Sequence, residues 1–385
     1  MNICIIAHLA YGAITGGSNG HAGGVEYQTS LLARWLSSKG HRVNFLTWNE
    51  GGSADDEYID NVRVIKMCKQ DEGLIGVRFF YPRWTSLNKA LRKADAELYY
   101  HNCAEYATGQ IALWCNAHGK SFIYSVASDA ECELISAATE KQRDKLFFRY
   151  GIRNADQIIV QSQKQQQLLH KNFGLESIIL PMPSIGPLDD QNQRTHVPEQ
   201  GQYKVLWVGR IDKEKRLELL LDIAERLPEI SFDVVGKPSH LGAPYFQNLL
   251  AKATALPNVK LLGMIPRNRM ANLYLNSDLL CCTSLYEGFP NTFIEAWSYG
   301  LPIVSTFDPD NIIISKHLGI FAENCFELIS GITTILESPT NWQVMSTNAR
   351  RYYDENHALD KSMLKFEHVF VQTIGANSCT AETSK

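Results

Sequence analysis

Short apolar segments alternate with amphipathic ones along most of this chain, and the alternation constrains the fold more than any other feature. Residues 3–7 are continuously apolar, which predicts a buried strand, and in 25–38 apolar residues recur at helical spacing. The same order of strand and helix is repeated as far as position 305. Because alternating strands and helices favour a mostly parallel sheet covered on both faces, the sequence predicts a doubly wound α/β fold.

The alternation falls into two halves, separated by a stretch at 181–202 that is rich in proline and glycine and has no periodicity. Such a composition is typical of a linker. We predict strands at 3–7, 42–48, 62–66, 97–101, 121–126, 157–160, 204–208, 231–235, 259–262, 278–283 and 302–305. The predicted domain organisation is an N-terminal domain over 1–182, a linker over 183–202, a C-terminal domain over 203–355, a last helix over 356–374 packing back toward the N-terminal domain, and a disordered tail over 375–385.

Composition excludes several classes of protein. The 385 residues suit two domains of ~100–200 residues each. A net charge of −4 argues against nucleic acid as the partner, because binding it needs a broad basic surface. The nine cysteines form neither a CxxC pair nor a zinc-like cluster with histidine, so no metal site or disulfide framework is expected. Neither a leader pattern nor an apolar run of about 18 residues is present, which predicts a cytoplasmic protein.

The strongest candidate site lies at 284–296, between a predicted strand and a predicted helix. Gly288 in the loop would let a ligand approach the backbone, and the helix start would offer N–H groups to an anion. Glu287 is placed to face a ligand, the alternative being a solvated loop charge. Thr292 and Glu295 also fit a capping box, in which the glutamate merely satisfies backbone donors.

A second candidate site is the basic run at 208–216, which joins a strand to a helix. Basic residues at a helix N-terminus oppose the helix dipole by ~0.3–1 kcal/mol each. A bound diphosphate would reverse that sign, with Arg210 gripping two oxygens and Lys215 adding a point charge. The alternative is a solvated turn compensated by Asp212, Glu214 and Glu218.

A third candidate is the glycine-rich run at 16–24, between the first predicted strand and the first predicted helix. A glycine loop that opens onto a helix N-terminus is suited to bind phosphate, the alternative being a mobile surface loop. The run does not match GxGxxG, so it lacks the dinucleotide fingerprint.

Together these patterns resemble the retaining glycosyltransferases of family 4, over most of the chain. Residues 23–26 match the family's GG-x-E element, Arg210 and Lys215 its GR-x4-K element, and Glu287 with Glu295 its E-x7-E motif. Their order and spacing are specific. The resemblance implies the GT-B architecture, in which two doubly wound Rossmann-like domains face a central cleft.

The resemblance also implies a nucleotide diphosphate sugar as donor and a role for each matching residue. The backbone of Gly24 would contact the donor phosphate, while Arg210 and Lys215 would hold the diphosphate and stabilise the leaving charge. Glu287 would bind the transferred sugar, and Glu295 the ribose hydroxyls. The backbone beside Glu287 would complete the donor site through Gly288, Phe289, Pro290, Asn291 and Thr292. Neither a cofactor nor a metal is implied.

One position departs from the family pattern. Many members carry a histidine after the strand that corresponds to 121–126, where this chain has Ala127, Ser128 and Asp129. Asp129 is the candidate for the sugar-facing role, the alternative being a remodelled site. His101, at another predicted strand end, is expected to be structural.

The implied reaction is a retaining transfer to a hydroxyl of a glycan or a lipid-linked acceptor, in cell-surface polysaccharide or lipopolysaccharide synthesis. Residues 78–84 mix arginine with aromatic residues, and Lys89, Arg92 and Lys93 follow. This pattern predicts a peripheral contact with an anionic surface such as the inner membrane. The alternative is a loop followed by a solvated helix.

Three other functions are compatible with parts of the pattern. A GT-B nucleotide-sugar epimerase would bind the same donor but would need no acceptor. A metal-dependent transferase would use Asp308 and Asp310 as its metal motif and would require Mn²⁺. A catalytically inactive sugar-nucleotide binding protein is opposed by the presence of Arg210, Lys215, Glu287 and Glu295, whereas Ala127 in place of the family histidine keeps this alternative open.

Overall fold

The computed structural model describes residues 1–16, 23–51, 55–133, 141–187, 197–238 and 243–383. The chain forms two compact units, each with its own sheet and its own apolar core. The first unit comprises Met1–Leu180 together with Met363–Lys385, and the second comprises Pro181–Ser362. The domain bounds given above stay predictions.

The first unit is built on an eight-stranded sheet in the order β3-β4-β2-β1-β5-β6-β7-β8. All neighbours are parallel except β3 and β4. In register, Ile3 of the central strand lies opposite Val43 on one side and Leu98 on the other. The strands are β1 (Asn2–Ile6), β2 (Arg42–Thr47), β3 (Asp56–Ile59), β4 (Val62–Lys66), β5 (Leu98–Asn102), β6 (Ser121–Ser125), β7 (Gln157–Val160) and β8 (Ile178–Ile179).

Helices cover this sheet, and two of them meet closely at a pair of glycines. A Cβ on Gly109 would lie 2.2 Å from the Phe147 carbonyl oxygen, and one on Gly151 would lie 2.6 Å from the Thr108 carbonyl carbon. Glycine is therefore required on both sides of this contact between α4 and α6. The helices are α1 (Tyr11–Thr15), α2 (Gly24–Ser38), α3 (Thr85–Ala94), α4 (Tyr106–His118), α5 (Asp129–Cys132), α6 (Gln142–Arg153) and α7 (Gln163–Phe173).

The second unit repeats this plan with a six-stranded, fully parallel sheet in the order β11-β10-β9-β12-β13-β14. Its strands are β9 (Lys204–Val208), β10 (Ser231–Val235), β11 (Val259–Gly263), β12 (Leu279–Cys282), β13 (Ile303–Ser305) and β14 (Gly319–Phe321). Its helices are α8 (Leu217–Arg226), α9 (Ala243–Ala255), α10 (Arg267–Leu275), α11 (Asn291–Ser298), α12 (Ile312–Ser315), α13 (Cys325–Leu336) and α14 (Pro339–Asn356). The predicted doubly wound α/β class is confirmed in both units.

The strand orders locate one crevice in each unit. Chain order reverses at β1 in the first sheet and at β9 in the second, so β1 lies between β2 and β5, and β9 between β10 and β12. In open α/β sheets, ligands bind beyond the carboxyl ends of the strands at such a switch point. A ligand of the second unit is therefore expected to bind at the loops that follow β9 and β12.

The last helix is longer than the sequence analysis expected. α15 (Leu359–Thr383) continues through Gly375, so the prediction of a disordered tail over 375–385 is wrong for the part described. One glycine inside a helix costs only about 1 kcal/mol relative to alanine, which does not end it. From Met363 on, this helix belongs to the first unit, where Phe370 lies 5.5 Å from the Tyr100 ring.

The beginning of the predicted linker is packed rather than free. Ser184 is buried, its N–H donates to the His357 carbonyl at 3.0 Å, and its own carbonyl accepts from the Tyr353 hydroxyl at 2.8 Å. Residues 188–196 lie outside the described part of the chain. Among the described helices, none is long and apolar enough to cross a bilayer.

Candidate functional site

The loops after β9 and β10 approach each other closely at the switch point of the second unit. Gly236 has a φ of +151°, and a Cβ at this position would lie 1.8 Å from the Gly209 carbonyl oxygen. Only glycine fits there. The predicted basic run at 208–216 therefore starts from a fixed backbone position at the carboxyl edge of the sheet.

This basic run is tied to the loop that carries Glu287. The Lys215 ammonium donates to the Glu287 carboxylate, and the Leu285 N–H donates to the Glu214 carbonyl at 2.8 Å. The Lys215 and Glu287 side chains are 19% and 15% exposed. The structure thus brings together the two motifs that the sequence analysis singled out independently, 72 residues apart.

Arg210 lies at the solvent-facing side of the same loop. Its Nε donates to the Asp212 carboxylate at 2.6 Å, and its side chain is 57% exposed. The compensation of Arg210 by Asp212 that the alternative interpretation required is therefore present. A guanidinium with this exposure can still turn toward an anionic ligand.

Arg216 holds these loops together, a role that the sequence analysis missed. Its φ of +48° is one that non-glycine residues rarely adopt. From there its guanidinium donates to the Thr283 carbonyl at 2.7 Å and to the Thr306 hydroxyl at 2.8 Å. The Thr283 hydroxyl in turn donates to the Lys215 carbonyl at 2.6 Å. Arg216 thereby joins the loops that follow β9, β12 and β13.

The capping-box interpretation of Thr292 and Glu295 is wrong. Helix α11 starts at Asn291, its N-cap residue is Pro290, and no side chain caps it. The Glu295 carboxylate instead accepts hydrogen bonds from the Tyr274 hydroxyl, at 2.7 Å, and from Arg267. The Glu295 carboxylate therefore contacts Arg267 and Tyr274 and does not bond the N–H groups at the start of α11.

Arg267 and Tyr274, both on α10, complete the surroundings of Glu295 and were not predicted. Burial and the adjacent Glu295 raise the pKa of Tyr274 well above its ordinary value, so its hydroxyl remains a donor. The Tyr274 ring stacks on Tyr299, with 5.6 Å between centroids. The stacking on Tyr299 orients the Tyr274 hydroxyl, which donates to the Glu295 carboxylate.

The remaining predicted donor residues line the turn from Glu287 into α11. Phe289 is buried, and its ring centroid lies 6.2 Å from that of Trp297 and 5.1 Å from that of His357. The packing of this side chain holds the backbone of the turn in place. A helix N-terminus that no side chain caps favours an anion. The turn comprises Gly288, Phe289, Pro290, Asn291 and Thr292.

The Asp308 carboxylate is engaged by backbone donors. It accepts the Ile313 and Ile314 N–H groups, at 2.8 and 3.2 Å, in the first turn of α12. Burial raises the pKa of Asp308, despite these hydrogen bonds. In the residues that the structure describes, no group of three or more metal-ligating side chains is assembled.

The first unit holds the other two predicted site residues. Gly24 starts α2, whose N-cap residue is Gly23. Residues 17–22 of the glycine loop lie outside the described part of the chain, so its role in binding phosphate stays a prediction. Asp129, at the start of α5, pairs with the Lys164 ammonium at 2.8 Å.

Glu131 lies beside the position where the family histidine is replaced by Ala127. Its carboxylate accepts the Ala127 N–H at 3.0 Å and the Tyr124 hydroxyl at 2.6 Å. Burial raises the pKa of Glu131 to about 7, in spite of these donors. The sequence analysis missed this buried carboxyl, which fits the alternative of a remodelled site.

An acid–base pair, in which the histidine is buried and the glutamate half-buried, follows β1 and β5. The His8 imidazole stacks on Trp48 and meets the Glu105 carboxylate at 2.7 Å. Although burial opposes it, His8 lowers the pKa of Glu105 to about 2, so this carboxyl is ionised at neutral pH. The His101 Nδ1 lies 3.1 Å from the Ile6 carbonyl oxygen, and burial lowers the pKa of His101 to about 4, although the charge of Glu105 opposes this. A structural role is consistent with that environment.

Two family profiles match the sequence in succession. Residues 22–180 match Glycosyltransferase Family 4, and residues 189–352 match Glycosyl transferases group 1.

Individual proteins agree with these matches. An uncharacterized glycosyltransferase of Haemophilus influenzae is 25% identical, over 89% of this chain and 94% of its own length. The O-antigen biosynthesis glycosyltransferase WbnH of Escherichia coli is 29% identical, over 46% of this chain and only 43% of its own length. Among solved structures, Anabaena HepE in complex with UDP and glucose has a TM-score of 0.75 at 16% identity, covering 96% of this chain and 99% of that chain.

Proposed function

Since the chain belongs to the group 1 and family 4 glycosyltransferases of GT-B fold, we propose that it moves a sugar from a nucleotide diphosphate sugar to an acceptor hydroxyl. The observation that carries this proposal is the Lys215–Glu287 pair, which joins two motifs at the switch point of the second sheet. An ammonium suits phosphate oxygens and a carboxylate suits sugar hydroxyls, so the pair offers both contacts side by side.

We assign the donor contacts as follows. Arg210 and Lys215 bind the diphosphate and stabilise the charge that develops on it as the sugar leaves. Glu287 accepts hydrogen bonds from the sugar, and Glu295 accepts them from the ribose. In the first unit, Gly24 and Asp129 are proposed to contact donor phosphate and sugar, respectively.

We further propose that the transfer retains the anomeric configuration and requires no metal. The support for metal independence is that Arg210 and Lys215 supply cationic groups where a metal would otherwise neutralise the diphosphate. Retention is supported by the resemblance to the retaining family alone. A nuclear magnetic resonance measurement of the anomeric coupling in the first-formed product separates retention from inversion.

The acceptor that we propose is a glycan or a lipid-linked saccharide of a cell-surface polysaccharide. The support is the name of the Escherichia coli relative, an O-antigen biosynthesis glycosyltransferase. UDP is proposed as the nucleotide because the Anabaena structure contains it. Release of free nucleotide that depends on added acceptor distinguishes this function from that of an epimerase.

The experiment that tests the proposal is a thermal-shift screen against UDP, GDP and ADP and their sugar conjugates, with and without EDTA. A ligand stabilises the native state by RT ln(1 + [L]/Kd), about 2.7 kcal/mol at a hundredfold excess over Kd. We expect one nucleotide to raise the melting temperature equally in both conditions. A shift that EDTA abolishes would contradict metal independence, and no shift with any nucleotide would contradict the donor site itself.

A further inference from the structure

Five large apolar side chains project into solvent from a short segment of the first unit, between β4 and α3. Isolated exposed apolar residues are ordinary, but several within one short stretch mark an interaction surface. We call this segment, residues 74–81, the apolar protrusion. Its exposed side chains, 55% to 89% accessible, are Leu74, Ile75, Val77, Phe80 and Tyr81.

The apolar protrusion has a defined shape. The Arg78 N–H donates to the Leu74 carbonyl at 2.8 Å, and the Phe80 N–H donates to the Val77 carbonyl at 2.9 Å. Gly73, with a φ of +92°, provides the turn that precedes them. The protrusion therefore presents its side chains from a hydrogen-bonded backbone and does not depend on a partner for its form.

An aromatic cluster connects the protrusion to α6. Phe79, which is buried, lies 5.4 Å from the Phe147 ring, and Trp84 lies 5.5 Å from the same ring. The Arg143 guanidinium lies 3.7 Å from the centroid of Phe79. Because Phe147 and Arg143 are both on α6, this helix is directly adjacent to the protrusion.

The outward side of α6 is both basic and apolar. Leu146, Arg149, Tyr150 and Arg153 are exposed and recur at helical spacing, so they form one stripe, which we call the α6 stripe. Leu146 is 66% accessible. The helix carries four basic residues and one acidic residue, Asp144, which is buried beside Arg143. The exposed stripe is therefore cationic in a chain whose net charge is −4.

We propose that the apolar protrusion and the α6 stripe together dock the protein on an anionic lipid bilayer. The apolar side chains would enter the interface between headgroups and acyl chains, while the basic side chains remain at headgroup level. An anionic headgroup layer is the partner that this combination of charge and apolar surface complements best. The inference goes beyond the proposed transfer reaction and does not depend on it.

The basic side of this surface differs from the one that the sequence predicted. Lys93 on α3 is paired with Asp56 at 2.6 Å, which partly neutralises it. Arg149 and Arg153 on α6, in contrast, share their stripe only with apolar and neutral residues. The acidic residues nearest in sequence to the protrusion are Asp71 and Glu72, which precede it.

The test is co-sedimentation of the full-length protein with vesicles of phosphatidylcholine, with and without about one third of phosphatidylglycerol. We expect binding to the anionic vesicles only, reduced at least about tenfold when the salt concentration approaches 1 M and the Debye length falls to ~3 Å. The double variant Leu74→Ser/Ile75→Ser and the double variant Arg149→Glu/Arg153→Glu are each expected to weaken binding about tenfold.

Matched controls lie in the second unit. Phe326 is 72% accessible and Lys316 is exposed, and Phe326→Ser and Lys316→Glu should bind like the natural sequence. Equal melting temperatures show that all variants are folded. Absence of binding to anionic vesicles, or equal loss in the controls, overturns the proposal. So does self-association that disappears in Leu74→Ser/Ile75→Ser while vesicles are not bound, because the surface would then serve a second copy of the chain.

Discussion

The Lys215–Glu287 ion pair is the contact that joins the two motifs of the proposed donor site. Both side chains are largely buried, so neither charge is fully solvated. Removing one partner leaves the other without its counter-charge, at a cost of about 1–3 kcal/mol. A substitution at either position therefore has a stability effect that must be separated from its effect on the reaction.

Lys215→Ala is expected to lower kcat at least a hundredfold, because a group that stabilises developing charge typically contributes about 10²–10³ in rate. Steady-state kinetics checks the rate, and urea unfolding checks that the variant remains folded. The matched control is Lys213→Ala, at an exposed position two residues earlier in the same loop. If Lys215→Ala and Lys213→Ala turned over equally fast, the assignment of Lys215 to the diphosphate would be wrong.

Glu131 makes stability depend on pH near neutrality. Its pKa is about 7 in the folded chain, against an ordinary value of 4.5, so the native state keeps a proton that the unfolded state releases. Native stability therefore falls as pH rises from 4.5 through 7. A shift of this size corresponds to at most about 3 kcal/mol.

Glu131→Gln should remove this dependence, since an amide does not titrate. We expect its free energy of unfolding, relative to the natural sequence, to rise by up to about 3 kcal/mol between pH 5 and pH 8. Chemical denaturation at several pH values measures the difference. In Glu133→Gln, which changes an exposed carboxyl nearby, the difference should stay constant. A constant difference for Glu131→Gln as well would mean that Glu131 is ionised in the folded chain.

At the scale of elements, the contact between α4 and α6 decides how the α6 stripe is presented. The two helices approach so closely at Gly109 and Gly151 that a methyl group on either would overlap backbone atoms of the other helix. Backbone atoms cannot move aside as a flexible side chain can. The helices would have to separate, and the aromatic cluster around Phe147 would be disturbed with them.

Gly109→Ala is accordingly expected to destabilise the protein by about 1–3 kcal/mol, although alanine is the better helix former. Gly375→Ala in α15 is the control, because nothing lies within 4 Å of a Cβ there. That substitution should stabilise the protein by up to about 1 kcal/mol. Urea unfolding measures the change in the free energy of unfolding of each variant. If Gly109→Ala stabilised the protein, the two helices would not be packed as described.

Most elements were predictable from periodicity because their strands are buried on both faces and read as continuous apolar runs. Each predicted strand overlaps an observed one. The exceptions are edge strands that lack this signal: β3 carries Asp56 and Glu57, β8 has two residues and β14 has three. Such strands form because a neighbouring edge offers hydrogen bonds, which depends on the tertiary fold and not on local sequence.

At the scale of the whole molecule, two doubly wound units were predicted from the repeated alternation, and the structure confirms that class twice. The motifs predicted Lys215, Glu287 and Glu295 as site residues, but not which side chains hold them. Arg267 and Tyr274 reach Glu295 from a helix 28 and 21 residues earlier in the chain. This contact between α10 and α11 depends on the order of the strands in the second sheet, and hydrophobic periodicity does not predict that order.

Three cations of the second unit's site each pair with a carboxylate: Arg210 with Asp212, Lys215 with Glu287, and Arg267 with Glu295. Within these three pairs the positive charges are therefore balanced by carboxylates. Under the proposed function, a donor binds by exchange, in which its phosphates take over cations while its hydroxyls take over the released carboxylates. An inorganic anion offers only half of that exchange and leaves carboxylates unpaired. The carboxylates, and not the cations alone, would thus allow the site to discriminate a nucleotide sugar from a simple phosphate.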